Sequence, residues 1–198
     1  MLRQTFAVTL IAILTSTQSA AKPSRPRDKP ILTSVSDLAL LGPKVRPLPQ
    51  RLWPIKRGET IRIQYPLPSL AQEVSPYGWR FSDHRDRWRL HTGHDLIAPA
   101  GTGVLAALSG KALMVQPISG YGLTVLLDHG NGWQTLYAHL LSARIRPGQL
   151  IQTGDLLGNV GKSGHASTAH LHFELRRYKN GQIMAIDPAP LLNQNAFH

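Results

Sequence analysis

The stretch HLHFELRRYKNGQIMAI, residues 170–186, decides the fold. Over residues 170–175 polar and apolar side chains alternate strictly. Successive side chains of a strand point to opposite faces. Leu171, Phe173 and Leu175 are therefore expected to face a core, and His170, His172 and Glu174 to face a cleft or water. Lys179-Asn180-Gly181 follows, and Asn-Gly is the favoured short hairpin turn. The apolar residues of 182–186 then read as the returning strand.

The same grammar extends upstream. Residues 133–140 (WQTLYAHL) alternate in the same way, which places His139 on the face of Tyr137, Thr135 and Trp133. They and the apolar run at 123–127 flank Asp128-His129-Gly130-Asn131-Gly132, a Gly-rich hairpin loop. Two further strand-like pieces surround Ser109-Gly110, and Pro147-Gly148 and Thr153-Gly154 mark turns. No helical period is sustained beyond residue 58. Many short strands at close spacing imply an all-β domain over residues 71–192, a sandwich or partial barrel.

The first seventy residues read differently. Arg3, the apolar run FAVTLIAIL at 6–14 and the small polar run TSTQSAA at 15–21 have the order of a secretory signal peptide, cut near Ala20 or Ala21. The apolar run is about half of the roughly 18 residues that a membrane span needs. Residues 22–68 hold nine of the fifteen prolines, without a helix or strand period. Residues 22–70 are accordingly expected to be an irregular, Pro-rich basic segment, extended where it reaches the domain. A prosegment covering the active site is the sharper alternative to a plain linker.

The formal net charge is +11, of which residues 22–57 carry +7, from nine Lys or Arg and two Asp. Such a segment can bind polyanions by counterion release. In an exported chain those are anionic envelope polymers, and no nucleic-acid recognition motif accompanies the charge. The chain has no cysteine. Disulfides, thiol chemistry and a Cys-rich structural zinc site are excluded, and stability must come from an ordinary core.

Chemistry concentrates in the histidines. Two imidazoles on one face of a rigid strand, His170 and His172, suit a metal, or one ligand and one base. A solvated strand face is the ordinary alternative. His139 at a strand end, taken alone, reads as structural. In His91-Thr92-Gly93-His94-Asp95 the four-residue spacing would suit one face of a helix, but the glycine and the following Pro99-Ala100-Gly101 argue for a loop, which can still bring His91 and Asp95 onto one ion, with His94 partly buried and not ligating. The places gain weight together. A catalytic zinc takes three protein ligands and keeps a fourth position open, and further histidines nearby can move a proton and steady an oxyanion.

These residues resemble the M23 peptidases, the lysostaphin and LytM type of peptidoglycan endopeptidase, over about residues 74–190. Val74-Ser75-Pro76-Tyr77-Gly78-Trp79-Arg80 is similar to the family's entry segment and HTGHD at 91–95 to its H-x-G-x-D. Gly120-Tyr121-Gly122, Tyr137-Ala138-His139-Leu140, Gly161-Lys162-Ser163-Gly164, His170-Leu171-His172-Phe173-Glu174 and Asp187-Pro188 follow in order. The resemblance implies an antiparallel β fold with a groove open at both ends. It implies one zinc ion held by His91, Asp95 and His172, with His139 and His170 as the catalytic pair. Arg80 and Tyr137, in the entry segment and the Tyr-Ala-His-Leu motif, are expected to contact substrate.

There are departures. Ala169 stands where the family often has Pro, and His165 where a small or polar residue is usual. Some members carry a Tyr before the first zinc histidine as an extra oxyanion stabiliser, and residues 79–90 contain none. The implied function is a zinc-dependent endopeptidase cutting peptide bonds of peptidoglycan, exported to the periplasm or beyond, with no membrane span in the mature protein. The alternative is a non-catalytic LytM-type regulator of cell-wall amidases, which the complete set of ligands disfavours.

Overall fold

The computed structural model describes residues 63–82, 86–179 and 182–192, together with the backbone of a two-residue strand at 46–47. The signal-peptide reading and most of the Pro-rich segment lie outside the described residues. The strands are β1 (Arg46–Pro47), β2 (Glu73–Ser75), β3 (Gly78–Ser82), β4 (Arg87–His91), β5 (His94–Ile97), β6 (Gly103–Leu105) and β7 (Gly110–Ile118). They continue as β8 (Gly122–Asp128), β9 (Trp133–Ala143), β10 (Leu150–Ile151), β11 (Leu156–Val160), β12 (His170–Lys179) and β13 (Gln182–Ile186). A single helical turn, α1 (Ala189–Leu192), closes the described chain. No helix among the described residues is long and apolar enough to cross a membrane.

The fold is the expected antiparallel β structure. Eleven strands form one sheet, with β13, β12, β9, β8 and β7 side by side, and β3 and β4 form a separate hairpin. Every pairing is antiparallel except that of β1 with β13. Strand β12 is the organiser. One edge pairs along β9, while the other pairs first with β5, at His170–Phe173, and then with β13, at Leu175–Lys179. The HxH stretch is thus held on both sides by backbone ladders.

Both faces of this sheet are covered. Leu171, Phe173 and Leu175 are fully buried in the main core with Tyr137, Val125 and Leu127. Ile63 and Leu67 also lie in that core, so the packed unit reaches back beyond residue 71 into the stretch read as extended lead-in. The Gln64 N–H bonds the Ala107 carbonyl at 2.9 Å, and Pro66 accepts from the Leu105 N–H at 2.9 Å. A smaller cluster of Met114, Leu126, Leu136 and Ala138 covers the opposite face. Glu174, expected on a cleft or solvent face, is fully buried on that side, with Arg176 1% exposed.

Against β8 the regular alternation of β9 fails beside His139. Leu123 pairs with Leu140, but Val125 pairs with Tyr137, so β9 carries one residue more than β8 between these pairs. This is a β-bulge. His139 takes up the extra residue with a left-handed φ of 60°, a conformation that histidine tolerates better than most residues. The bulge turns the His139 ring off the face of Tyr137 and toward His170 and His172, with ring centroids 4.7 and 5.9 Å away. The expectation that His139 shares the face of Tyr137 is corrected accordingly: parity counting holds only along an unbroken ladder.

Candidate metal and catalytic site

Strands β4, β5 and β12 bring three side chains to one point. His91 ends β4, Asp95 lies in β5, and the β5–β12 register sets Asp95 directly opposite His172. Asp95 Oδ1 lies 3.0 Å from His91 Nε2 and 2.7 Å from His172 Nδ1, and those two nitrogens are 3.2 Å apart. The triangle matches one face of a tetrahedral zinc shell, in which ligand bonds of about 2.0–2.1 Å give edges of about 3.3 Å. Among the described residues these three form the group arranged to hold a metal ion.

The far side of each ring shows which nitrogen faces inward. His91 Nδ1 is 2.7 Å from the Pro76 carbonyl and must donate to it. His172 Nε2 is 2.9 Å from the Glu174 carboxylate. Neutral rings so tied present two nitrogen lone pairs to the Asp95 oxygen, and three acceptors within about 3 Å demand a positive charge among them. A zinc ion fits that demand; otherwise a proton must be drawn in. Burial acts to lower the His172 pKa, but hydrogen bonds and charge from Asp95 and Glu174 outweigh it and raise it to about 9. Burial likewise acts to raise Asp95, yet His172 and His91 hold its carboxyl well below the usual range.

His139 and His170 are tied in the same manner. His139 Nδ1 donates to the Ser163 carbonyl at 2.7 Å and His170 Nδ1 to the Thr168 carbonyl at 2.9 Å. Each keeps Nε2 as its accepting nitrogen, and His170 Nε2 lies 3.6 Å from Asp95 Oδ1. Desolvation, reinforced by the charge of His172, pushes the His139 pKa down to about 4. The bulge at His139 is secured by its N–H, which bonds the Tyr121 carbonyl at 2.8 Å. The 120–122 and 163–164 segments pack backbone to backbone there, since a Cβ at Gly122 would come within 2.4 Å of Ser163 carbonyl carbon. The Gly-Tyr-Gly and Gly-Lys-Ser-Gly motifs therefore have a mechanical purpose, which is to carry the loop that orients His139.

Gly93 has a comparable reason. A Cβ there would fall 2.2 Å from the Phe173 carbonyl oxygen and 2.7 Å from Glu174 Cγ. Only glycine lets the 91–95 turn lie flat on β12. His94 turns away from the cluster and pairs with Asp187 at 3.2 Å. Asp187 in turn accepts the Ala189 N–H at 3.0 Å and caps α1.

The two residues expected to contact substrate part company. Arg80 is half exposed on β3, with its Nη1 2.7 Å from Ser75 Oγ and 3.6 Å from Asp95 Oδ2. It stands at the rim of the cluster. Tyr137 is corrected: it is fully buried on the opposite face, where its hydroxyl accepts the Ala107 N–H at 2.8 Å and pairs with Thr135 Oγ1 at 3.0 Å. It cannot reach a substrate without unfolding the sheet.

Four residues at the site carry no role in the sequence reading: Glu174, Arg176, Thr92 and Tyr121. Glu174 Oε1 accepts from Thr92 Oγ1 at 2.6 Å, Tyr121 OH at 2.8 Å and His172 Nε2 at 2.9 Å, and Arg176 Nε bonds its other oxygen. The readable signal was the continued alternation of His170, His172, Glu174 and Arg176, which puts opposite charges on one strand face two residues apart.

With this geometry in place the relationships are informative. The sequence profile of peptidase family M23 matches residues 89–188. The chain belongs to that family. It is 40% identical over 124 residues to the DD-carboxypeptidase/endopeptidase Mpg of Neisseria meningitidis, covering 61% of this chain and 28% of that protein. It is 30% identical over 166 residues to the murein hydrolase activator EnvC of Escherichia coli, covering 84% of this chain and 34% of EnvC. The catalytic domain of the antimicrobial peptidase lysostaphin from Staphylococcus simulans superposes with a TM-score of 0.53 at 27% identity, covering 61% of this chain and 92% of that domain. The chain thus spans about a third or less of the length of these two curated relatives.

Proposed function

We propose that this M23 family member is a zinc-dependent endopeptidase acting on the peptides of peptidoglycan. The observation that carries the reading is the convergence of His91 Nε2, Asp95 Oδ1 and His172 Nδ1 to within 3.2 Å of one another, with two further histidines against them. His91, Asp95 and His172 would hold one ion, which when bound would polarise the scissile carbonyl and lower the pKa of water. His139 and His170 act beside it. Their Nδ1–H groups are committed to carbonyls, so each has Nε2 to work with. One takes the proton of the attacking water on its Nε2 and passes it to the leaving amine, and the other stands beside the developing oxyanion, which it can steady once its own Nε2 carries a proton. Arg80 at the rim would hold a substrate carbonyl or carboxylate.

The peptidoglycan assignment is supported by relatives such as the DD-carboxypeptidase/endopeptidase Mpg and the murein hydrolase activator EnvC. Residues 1–21 as an export signal agree with a substrate outside the cytoplasm, and the basic 22–57 segment suits anionic envelope polymers. The second reading is a regulator that activates murein hydrolases, favoured by the 84% of this chain that aligns with EnvC. It makes no use of the assembled histidines. Digestion of purified sacculi with and without chelator, read by mass spectrometry, separates the two. New chelator-sensitive peptide ends establish the endopeptidase and name its bond. A zinc-loaded protein that cuts no wall but stimulates an added amidase establishes the regulator.

A further inference from the structure

Glu174 is a fully buried carboxylate that the proposed chemistry does not employ, and the charge of Arg176 beside it is buried as deeply. A buried ion pair is a poor device for stability, because well-packed apolar residues of the same volume commonly do as well or better. This pair is therefore better understood from what surrounds it. Three donors meet on one oxygen, from three separate parts of the chain. Thr92 comes from the turn between His91 and Asp95, Tyr121 from the Gly-Tyr-Gly loop that also holds the His139 bulge, and His172 from β12. Arg176 Nε occupies the second oxygen, and its Nη2 lies 3.5 Å from the Tyr121 hydroxyl.

We infer that Glu174 is the positioning residue of the site: it fixes the proton of His172 on Nε2, so that an unprotonated Nδ1 faces His91 and Asp95, and through Thr92 it sets the distance of the 91–95 turn from β12. A histidine without that acceptor divides its proton between two nitrogens and rotates about its bonds. The contact of Gly93 with Glu174 shows how close this register is, since any side chain at 93 would strike the Glu174 stem. Arg176 occupies the second oxygen of Glu174 and so keeps the first turned to the His172 ring. Carboxylates placed behind metal-binding histidines act in this manner, and their loss typically costs about 10- to 100-fold in metal affinity.

The inference rests on the metal reading of the cluster. Its test is zinc affinity, measured on the full chain by competition with a chromophoric chelator, together with the ¹⁵N signature of the His172 ring in the zinc-bound protein. Glu174→Gln, which keeps the shape, is expected to bind zinc about 10- to 100-fold more weakly, with the His172 Nε2–H signal broadened or lost while circular dichroism remains that of the parent. Thr92→Val leaves the ion pair intact and removes one donor; it is expected to weaken zinc roughly 5-fold, the worth of one hydrogen bond. It decides the matter if Glu174→Gln does not fold. Unchanged zinc affinity and an unchanged His172 signal in the folded variants overturn the inference and leave the metal reading standing. A parent protein that binds no zinc overturns both.

Discussion

The two faces of β12 are equally buried and built on opposite principles. On one, Leu171, Phe173 and Leu175 are shut from solvent among other apolar side chains. On the other, His170, His172, Glu174 and Arg176 are each under a tenth exposed, yet every one is tied to a specific partner. Apolar contact is non-directional, so the first face needs only the right volume. The second needs each atom in its place, because a buried polar group without its partner costs about 1–3 kcal/mol, and more if charged. Burial alone therefore says little about how a position answers to substitution.

That contrast can be broken in stages. The largest effect is expected for His172→Ala: stoichiometric zinc is lost, by metal analysis after dialysis, and wall digestion falls to background. Next, His139→Ala should keep its zinc and lose about 10²- to 10⁴-fold in turnover, the usual worth of a general acid or base; near-normal turnover would mean that His139 does not act in the chemistry. On the apolar face, Phe173→Ala should cost about 3–5 kcal/mol in chemical denaturation, whereas Phe173→Leu should cost under about 1.5 kcal/mol if repacking is good. Equal losses for the two would refute the volume argument.

The smallest effect lies away from the cluster. His129 bonds the Ser109 carbonyl through Nδ1 and Thr135 Oγ1 through Nε2, both at 2.8 Å. Burial lowers its pKa below the ordinary 6.5, against the opposing pull of Ser109 and Asp128. The unfolded chain then binds the proton more readily than the folded one, so stability is complete above about pH 6.5 and declines as the pH falls toward the folded pKa. Thermal melts of the parent and of His129→Asn should diverge in slope below pH 6.5, the parent falling more steeply. Parallel slopes would show that the His129 pKa is the same in the folded and unfolded chains.

Much of this architecture was open to reading from residue order, and the reasons are specific. Strand β12 announced itself by alternation and by Asn180-Gly181, and the β8–β9 hairpin by its Gly-rich loop, because both depend on local chemistry. His91, Asp95 and His172 were nameable as candidate ligands because residues of that kind recur across the family in a recognisable order. The place of Tyr137 and the face of His139 were not, since a bulge is a relation between two strands and leaves no mark in the alternation of one. Glu174 was hidden for a related reason. Alternation says which residues share a face but not whether a second layer covers it, and Tyr121 and Thr92, which cover it, are 53 and 82 residues away in sequence.

The extra residue in β9 makes the site a matter of counting. A strand has only two sides, and each inserted or deleted residue exchanges them for everything beyond. Removing one residue beside His139 would give a smoother ladder with β8 and an imidazole pointed into the hydrocarbon interior. The sheet would gain regularity and the cluster would lose a member. The arrangement is thus a one-unit frameshift within a strand, locally unfavourable and kept by the loops at Tyr121 and Ser163 that clasp it.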